Sequence, residues 1–165
     1  MKCILNTYVK QKKQKTKKMK NEVTFAMILP SCMNYASWVE EQIANTNLRI
    51  KASAVVQFTA EQSEELCAKW RKDVSFASRV QMLSSGKVKV YLLSGKDAIK
   101  HWNDLIGPED PGAAEASWHQ LRCKFADAKA YADGNPDNGF YGSTNREDAE
   151  KEIDLMKKWK IFSTG

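Results

Sequence analysis

The order of apolar and polar positions along the chain predicts alternating strands and helices. Three segments have the apolar or alternating pattern of strands: EVTFAMILP (22–30), LRIKASAVVQFT (48–59) and KVKVYLLSG (87–95). Five others place apolar residues at helical spacing: YASWVEEQIANT (35–46), AEQSEELCAKW (60–70), FASRVQMLSSG (76–86), KDAIKHWNDLIG (96–107) and NREDAEKEIDLMKKW (145–159). A mostly irregular connection over 108–139 precedes a last short strand.

Residues at the predicted helix ends support these boundaries. Thr59 is expected to cap the helix that follows it, with Gln62 completing a capping box. Gly86 falls just after a helix, where glycine commonly ends one. Asn145 is expected to cap the last helix, whose first turn is acidic. The order of elements predicts an α/β protein: a ferredoxin-like βαββαβ sandwich with a four-stranded antiparallel sheet covered by helices.

Charge divides the chain into two parts. Residues 1–20 contain eight lysines and no acidic residue, whereas the whole chain has a net charge of +6, so residues 21–165 carry −2. We therefore predict a basic, disordered tail over 1–20 and one folded domain over 21–165. The tail could contact nucleic acid nonspecifically, anionic lipid or the tubulin lattice, or be a plain solvated extension.

Composition restricts the classes of protein that remain. The chain has 42% hydrophobic and 28% charged residues, and no apolar run approaches the roughly 18 residues of a membrane span. An apolar signal core is also missing, so a cytoplasmic protein is expected. Four cysteines without CxxC spacing and two histidines make a structural zinc site an unfavourable interpretation.

The segment NGFYGST (138–144) is the strongest local indication of a functional site. Small residues surround Tyr141, and such a loop lets the backbone bend sharply and approach a ligand. Tyrosine is a weak nucleophile at neutral pH, because its phenol has a pKa near ~10. The segment therefore predicts a presented side chain without indicating its chemistry.

Several motifs in order resemble the nucleoside diphosphate kinase family. They are TFAMILP, SSGKVKVYLLSG, LIGPEDP, LRCKF, and NGFYGST followed by AEKEI, and together they span about residues 22–157. Within the family, the DP followed by LRCKF and the stretched loop resemble divergent, often cilium-associated members. The resemblance implies a nucleotide cleft lined by the long loop and phosphate transfer through a phosphohistidine.

The resemblance also implies that most of the catalytic residues are replaced. The family's phosphorylated histidine falls on Tyr141, and its phosphate-binding lysine falls on Leu29. Other ligand-binding positions are changed as well, and these degenerate positions are Cys67, Ser75, Asn103 and Glu109. Loss of a cation that bonds phosphate removes a charge-assisted contact, and a carboxylate at position 109 repels phosphate.

Four residues match the family's pattern. Arg122 corresponds to an arginine that contacts phosphate, and Asn138 to an asparagine that bonds the ribose hydroxyls. Ser143 and Glu152 correspond to residues beside the family's histidine, where the glutamate orients the imidazole. The resemblance therefore implies a remnant of the nucleotide site at Arg122 and Asn138, with the Tyr141 hydroxyl held by Glu152 or Ser143.

Few other side chains could replace the family's phosphorylated histidine. His119, in the long loop near Arg122, is the better replacement phosphoacceptor by position, whereas His101 is expected on the polar side of a helix. Cys123 is interpreted as a packing residue. The tryptophans are predicted to lie in the core or at an interface; they are Trp38, Trp70, Trp102, Trp118 and Trp159.

Three functional hypotheses remain. The first is a catalytically inactive structural or docking module, in a ciliary or axonemal assembly with microtubule-associated protein partners. The second is a sensor that binds Mg-ATP or Mg-ADP without turnover, and the third is a weak residual kinase that uses His119 or Tyr141. The sequence predicts a non-enzyme and no metal or obligatory cofactor, and it leaves a homo-oligomer open.

Overall fold

The computed structural model describes residues 21–163, so the predicted tail over 1–20 lies outside the described residues. Within this range the chain forms one antiparallel sheet with the order β2-β3-β1-β4. The strands are β1 (Asn21–Ile28), β2 (Arg49–Val56), β3 (Val88–Lys96) and β4 (Phe140–Gly142). The predicted four-stranded antiparallel α/β sandwich is confirmed.

Seven helices accompany the sheet in the described range. They are α1 (Ala36–Ala44), α2 (Ala60–Leu66), α3 (Phe76–Ser84), α4 (Ala98–Ile106), α5 (Leu121–Phe125), α6 (Ala128–Ala132) and α7 (Arg146–Lys158). Two 3-10 turns lie at Pro30–Tyr35 and Ala68–Trp70. The Thr59–Gln62 capping box and the Asn145 cap are both present, as predicted.

The two faces of the sheet support separate cores. Ala26 and Ile28 of β1 pack on one face with buried residues of α1 and α4, among them Trp102. Phe25 and Met27 pack on the other face with buried residues of α2, α3 and α7. This division follows from the period of two in a strand, which points successive side chains to opposite faces.

The long connection contains more structure than its sequence pattern predicts. It forms the five-residue helices α5 and α6, where a mostly irregular segment was expected. Both helices are too short to show periodicity. Leu121 is fully buried in the core beside Trp102, so tertiary packing holds α5 in place.

The tryptophans do not share one environment. Trp102 is completely buried, as predicted for a core residue, while Trp118 is 77% exposed in the connection before α5.

No helix in the range 21–163 is long and apolar enough to cross a membrane.

Candidate functional site

A cavity of about 270 Å³ lies between the sheet and the α2–α3 helical hairpin. Met27 and Leu29 line it from the end of β1, and Leu66 and Leu83 line it from the hairpin. The loop after α4, α5 and the segment before β4 complete the walls, and we call this cavity the cleft. Most of the predicted site positions line it: Leu29, Cys67, Asn103, Glu109, Arg122, Asn138, Tyr141 and Glu152.

Strand β4 directs Tyr141 into the cleft. Tyr141 pairs with Met27 of β1, and both side chains belong to the core on the cleft side of the sheet. Phe140 belongs to the opposite core. At Gly142 an added Cβ would lie 2.5 Å from Cδ1 of Trp102. The small residue therefore permits close packing of β4 on α4, where the sequence suggested close approach to a ligand.

The Tyr141 hydroxyl is held by two charged side chains. It donates a hydrogen bond to Oε2 of Glu152 and accepts one from Nζ of Lys69 at 2.6 Å. Lys69 Nζ also donates to Asp148 Oδ2 at 3.2 Å and to Thr144 Oγ1 at 3.4 Å. The contact that the sequence predicted between Tyr141 and Glu152 is present.

Burial is the main cause of the raised pKa values of Tyr141 and Glu152. It raises the pKa of Tyr141 far above its ordinary value, and the negative charge of Glu152 raises it further. Burial also raises the pKa of Glu152, although the hydrogen bond from Tyr141 and the charge of Lys69 oppose the shift. Tyr141 therefore keeps its proton at neutral pH, and the phenol is not an activated nucleophile.

Ser143 bonds to the backbone of β1, whereas the resemblance implied that it could hold the Tyr141 hydroxyl. Its Oγ accepts a hydrogen bond from the Phe25 backbone N–H at 3.2 Å and lies 3.3 Å from the Phe25 carbonyl oxygen. Ser143 does not line the cleft in the described structure. The side chain thus ties the end of β4 to β1.

Arg122 is largely committed to the backbone. Its Nη1 donates to the Gly107 carbonyl at 2.7 Å, and Nη2 and Nε donate to the Phe140 carbonyl at 2.8 and 3.3 Å. The side chain is 8% exposed, and burial lowers the pKa of the guanidinium to about 10. Three of its five donors are engaged, so Arg122 joins two segments of the cleft wall before any ligand arrives.

Asn138 is also tied to the backbone of the cleft wall. Its Nδ2 donates to the Glu109 carbonyl at 2.8 Å, and the residue is 5% exposed. The Asn138 side chain is therefore fixed in the cleft wall through its amide nitrogen, and its amide oxygen can still accept a hydrogen bond.

Three of the degenerate positions bring no positive charge to the cleft. Leu29 is 3% exposed and packs in the core. Asn103 uses Nδ2 to donate to the Ile99 and Ser143 carbonyls, both at 2.9 Å. Cys67 is buried, which raises the pKa of its thiol to about 11. None of these three side chains supplies positive charge.

Two cations that line the cleft, Lys69 and Arg79, were missed in the sequence. Arg79 of α3 donates through Nε to Ser75 Oγ at 2.8 Å and through Nη2 to Glu109 Oε1 at 3.0 Å. Lys69 and Arg79 both lie over the Trp70 ring, 4.6 and 4.3 Å from its centre. Arg79 lies among the apolar residues of a helix, and this is the one signal that could have drawn attention to it.

Neither histidine offers a replacement phosphoacceptor in the described structure. His119 is exposed and lies edge-on to the exposed Trp118, and His101 is on α4; neither lines the cleft. The connection carries His119 to the surface, outside the cleft lining, so the structure does not bring it to the site beside Arg122. Cys123 is half-buried and also outside the lining.

No group of three or more His, Cys, Asp or Glu residues that could hold a metal ion occurs in the described part of the chain. Positive charge in the cleft comes from Lys69, Arg79 and Arg122, and negative charge from Glu109 and Glu152. The cleft can thus hold an anion through hydrogen bonds and ion pairs.

Comparison with known proteins assigns this fold independently. The chain matches the family described as "Nucleoside diphosphate kinase" over residues 22–160. A nucleoside diphosphate kinase of Erythrobacter litoralis is 32% identical over 135 residues, covering 81% of this chain and 91% of the relative. One from Haemophilus ducreyi is 29% identical over 135 residues, covering 81% and 92%.

Two solved structures have a fold similar to that of this chain. The Aquifex aeolicus nucleoside diphosphate kinase superposes with a TM-score of 0.77 at 28% identity, covering 88% of this chain and 97% of that one. The Encephalitozoon cuniculi enzyme superposes with a TM-score of 0.70 at 29% identity, covering 81% and 87%. The chain belongs to the nucleoside diphosphate kinase family.

Proposed function

We propose that this protein is a catalytically inactive member of its family that acts as a docking module. The observation that carries the proposal is the state of Tyr141: its hydroxyl is bonded to Glu152 and Lys69, and its pKa is raised by burial. A protonated phenol attacks phosphorus poorly, and a tyrosine phosphate is a stable ester with little tendency to pass its phosphate on.

The replacements around Tyr141 support the same proposal. The cleft lacks the two cations that the resemblance implies at positions 29 and 103, where Leu29 and Asn103 stand. Charge stabilisation of the transferring phosphate is the main means of catalysis in phosphoryl transfer. With these two cations replaced, the cleft is expected to bind the transition state more weakly even if a nucleophile is supplied.

Two exposed apolar side chains support a docking role. Trp118 is 77% exposed, and Val74, in the turn before α3, is completely exposed. Tryptophan is enriched where proteins meet, because one ring buries a large apolar area on binding. The ciliary or axonemal setting and the microtubule-associated partners rest on the resemblance to cilium-associated members, and they stay predictions together with a homo-oligomer.

A phosphotransfer assay on the full chain tests the loss of activity. The purified protein is incubated with ATP and a nucleoside diphosphate acceptor, beside the Erythrobacter litoralis enzyme. We expect no product above background. We also expect no acid-labile or acid-stable phosphate on the protein after exposure to labelled ATP. Sustained turnover would overturn the proposal, and stable labelling of Tyr141 or His119 would favour a residual kinase.

Co-sedimentation tests the docking role. Detergent-extracted axonemes are mixed with the purified chain and with its Trp118→Ala variant. The wild type is expected in the pellet and the variant in the supernatant, with Trp159→Phe, a change at a half-buried tryptophan packed on Phe58, as the matched control. Recovery of all three proteins in the supernatant would contradict the axonemal setting.

A second candidate function is nucleotide binding without turnover. The cleft favours it, because a cavity of about 270 Å³ remains and Asn138 and Arg122 still line it. Calorimetric titration with Mg-ADP and Mg-ATP tests this candidate. Micromolar binding without turnover would support it, and no heat at millimolar nucleotide would count against it.

A further inference from the structure

One wall of the cleft is apolar, and neither proposed function uses it. The end of β1 contributes Met27 and Leu29, and the α2–α3 hairpin contributes Leu66, Met82 and Leu83. All five side chains pack in or against the core on the cleft side of the sheet. Leu29 stands where the resemblance implies a phosphate-binding lysine, so the apolar surface continues past the end of β1. We call these five residues the apolar wall.

Polar groups that line the same cleft are largely bonded to one another. Lys69 Nζ donates all three of its hydrogen bonds, to Tyr141, Thr144 and Asp148. The Tyr141 hydroxyl in turn donates to Glu152. A ligand that enters beside these groups therefore gains few polar contacts from them. The apolar wall instead favours a ligand with an apolar body, because apolar cavities bind such molecules in preference to water.

Arg79 brings free hydrogen-bond donors to the apolar wall. Arg79, Met82 and Leu83 are spaced i, i+3 and i+4, so they share one face of α3, and all three line the cavity. The Nε and Nη2 atoms of Arg79 bond Ser75 and Glu109, whereas Nη1 makes no hydrogen bond within the described residues. The side chain is 19% exposed. A partly desolvated guanidinium with free N–H groups is well suited to a carboxylate.

The size of the cavity limits the length of the ligand. Its volume is about 270 Å³. Since a group of the size of water takes up about 30 Å³, roughly nine such groups fill the cavity. A chain of about eight carbons with a carboxylate at one end has this size.

We infer that the cleft is a binding site for a medium-chain fatty acid, with its alkyl chain on the apolar wall and its carboxylate on Nη1 of Arg79. The inference goes beyond both proposed functions, because this ligand carries neither phosphate nor nucleoside. Glu109 bonds Nη2, so the carboxylate can reach Nη1 while that ion pair is intact. The negative charge of Glu109 nevertheless opposes the carboxylate, and this opposition gives the site a property that can be tested.

Such a site distinguishes ligands by chain length and by head group. Octanoate should bind about tenfold more tightly than hexanoate, because two further methylenes are buried on the apolar wall. Octanoate should also bind about tenfold more tightly than octanol, which has the same chain without the charge that Arg79 recognises. Calorimetric titration of the full chain with these three probes, kept below micelle-forming concentrations, measures both ratios.

Variants of the head-group contact separate the charge from the chain. Arg79→Met should weaken octanoate about tenfold, to the level of octanol, and leave octanol unchanged. Glu109→Gln should strengthen octanoate about two- to fivefold and leave octanol unchanged, because it removes an opposing carboxylate. The matched control is Arg71→Met, which removes an exposed cation outside the cleft lining.

A variant of the apolar wall tests the chain contact. Met82→Gln keeps the side-chain length but adds a polar group, and it should weaken octanoate and octanol alike, about three- to tenfold. Its matched control is Met33→Gln, because Met33 packs against the core on the opposite face of the sheet and does not line the cleft. Thermal melting of each variant without ligand checks that the fold is intact.

The outcomes separate this inference from nucleotide binding. Saturable octanoate binding that depends on Arg79 and Met82 supports it, whether or not Mg-ADP gives heat. No saturable binding at about 10 mM octanoate would overturn it, as would equal affinity for octanoate and octanol. Mg-ADP binding without octanoate binding would likewise overturn it and leave nucleotide binding standing.

Discussion

The Tyr141 hydroxyl donates a hydrogen bond to the carboxylate of Glu152, eleven residues further along the chain. Glu152 lies on α7 and is 5% exposed, and its Oε1 has no partner within the described structure. Glu152 therefore depends on Tyr141 for a hydrogen bond, where the family's resemblance implies an imidazole. This contact holds Tyr141 in place, while burial raises the pKa of its phenol and keeps it protonated.

Removing the hydroxyl should destabilise the fold. Tyr141→Phe leaves Oε2 of Glu152 without its donor in a buried setting, which is expected to lower the free energy of unfolding by about 1–3 kcal/mol. Chemical denaturation measures the change. Tyr35→Phe is the control, since Tyr35 is 40% exposed and its ring stacks on Phe125. Equal stability of Tyr141→Phe and wild type would show that the hydrogen bond contributes nothing net.

Restoring a histidine should not restore catalysis. Tyr141→His supplies the family's nucleophile, but Leu29 and Asn103 still bring no positive charge to their positions, and Glu109 remains acidic. Lost charge stabilisation should keep its phosphotransfer rate at least about a thousandfold below that of the Erythrobacter litoralis enzyme assayed in parallel. Appreciable turnover by the single variant would show that the nucleophile alone was limiting.

The raised pKa of Glu152 predicts a specific pH dependence of stability. Its folded-state pKa lies above the ordinary value of 4.5, so the folded protein holds this proton more tightly than the unfolded chain does. Its contribution is complete below pH 4.5 and is lost as the pH rises through the raised pKa.

Melting temperatures of wild type and Glu152→Gln from pH 4 to pH 8 test that dependence. The glutamine variant cannot ionise, so its melting temperature should gain on that of wild type as the pH rises. Glu150→Gln, an exposed position on the same helix, should change in parallel with wild type. Parallel curves for Glu152→Gln would contradict the prediction.

Gly142 should tolerate no side chain. Gly142→Ala would place Cβ 2.5 Å from Cδ1 of Trp102 and 2.8 Å from Oδ1 of Asn103. Strand β4 and α4 would have to separate, at a cost of about 1–3 kcal/mol in the free energy of unfolding. Urea denaturation should show this loss, while Gly112→Ala, whose Cβ would meet its neighbours at 3.5 Å, should change stability by less than about 0.5 kcal/mol.

Arg122 should stabilise the fold even when no ligand is bound. Arg122→Met leaves the carbonyls of Gly107 and Phe140 without their donor, so we expect a loss of about 2–4 kcal/mol in the free energy of unfolding. Denaturation without nucleotide measures this loss, with exposed Arg49→Met as the control. A variant as stable as wild type would instead return Arg122 to a purely ligand-binding role.

The sequence determined the order of strands and helices and the caps that bound them. Thr59 with Gln62, and Asn145 with Asp148, bond within three residues of each other. Such signals are local, and periodicity repeats within a few residues, so a sequence displays both directly. The sequence motifs also indicated the family by resemblance, and they aligned Tyr141 and Glu152 with the family's histidine and its neighbouring glutamate.

The tertiary structure alone decided the charge pattern of the cleft. Lys69 reaches Asp148 across 79 residues, and Arg79 reaches Glu109 across 30. Both contacts exist because the α2–α3 hairpin packs over one face of the sheet, and no local pattern encodes that placement. The commitment of Arg122 to two carbonyls and the exposure of His119 follow from the same long-range packing, which fixes where each side chain points.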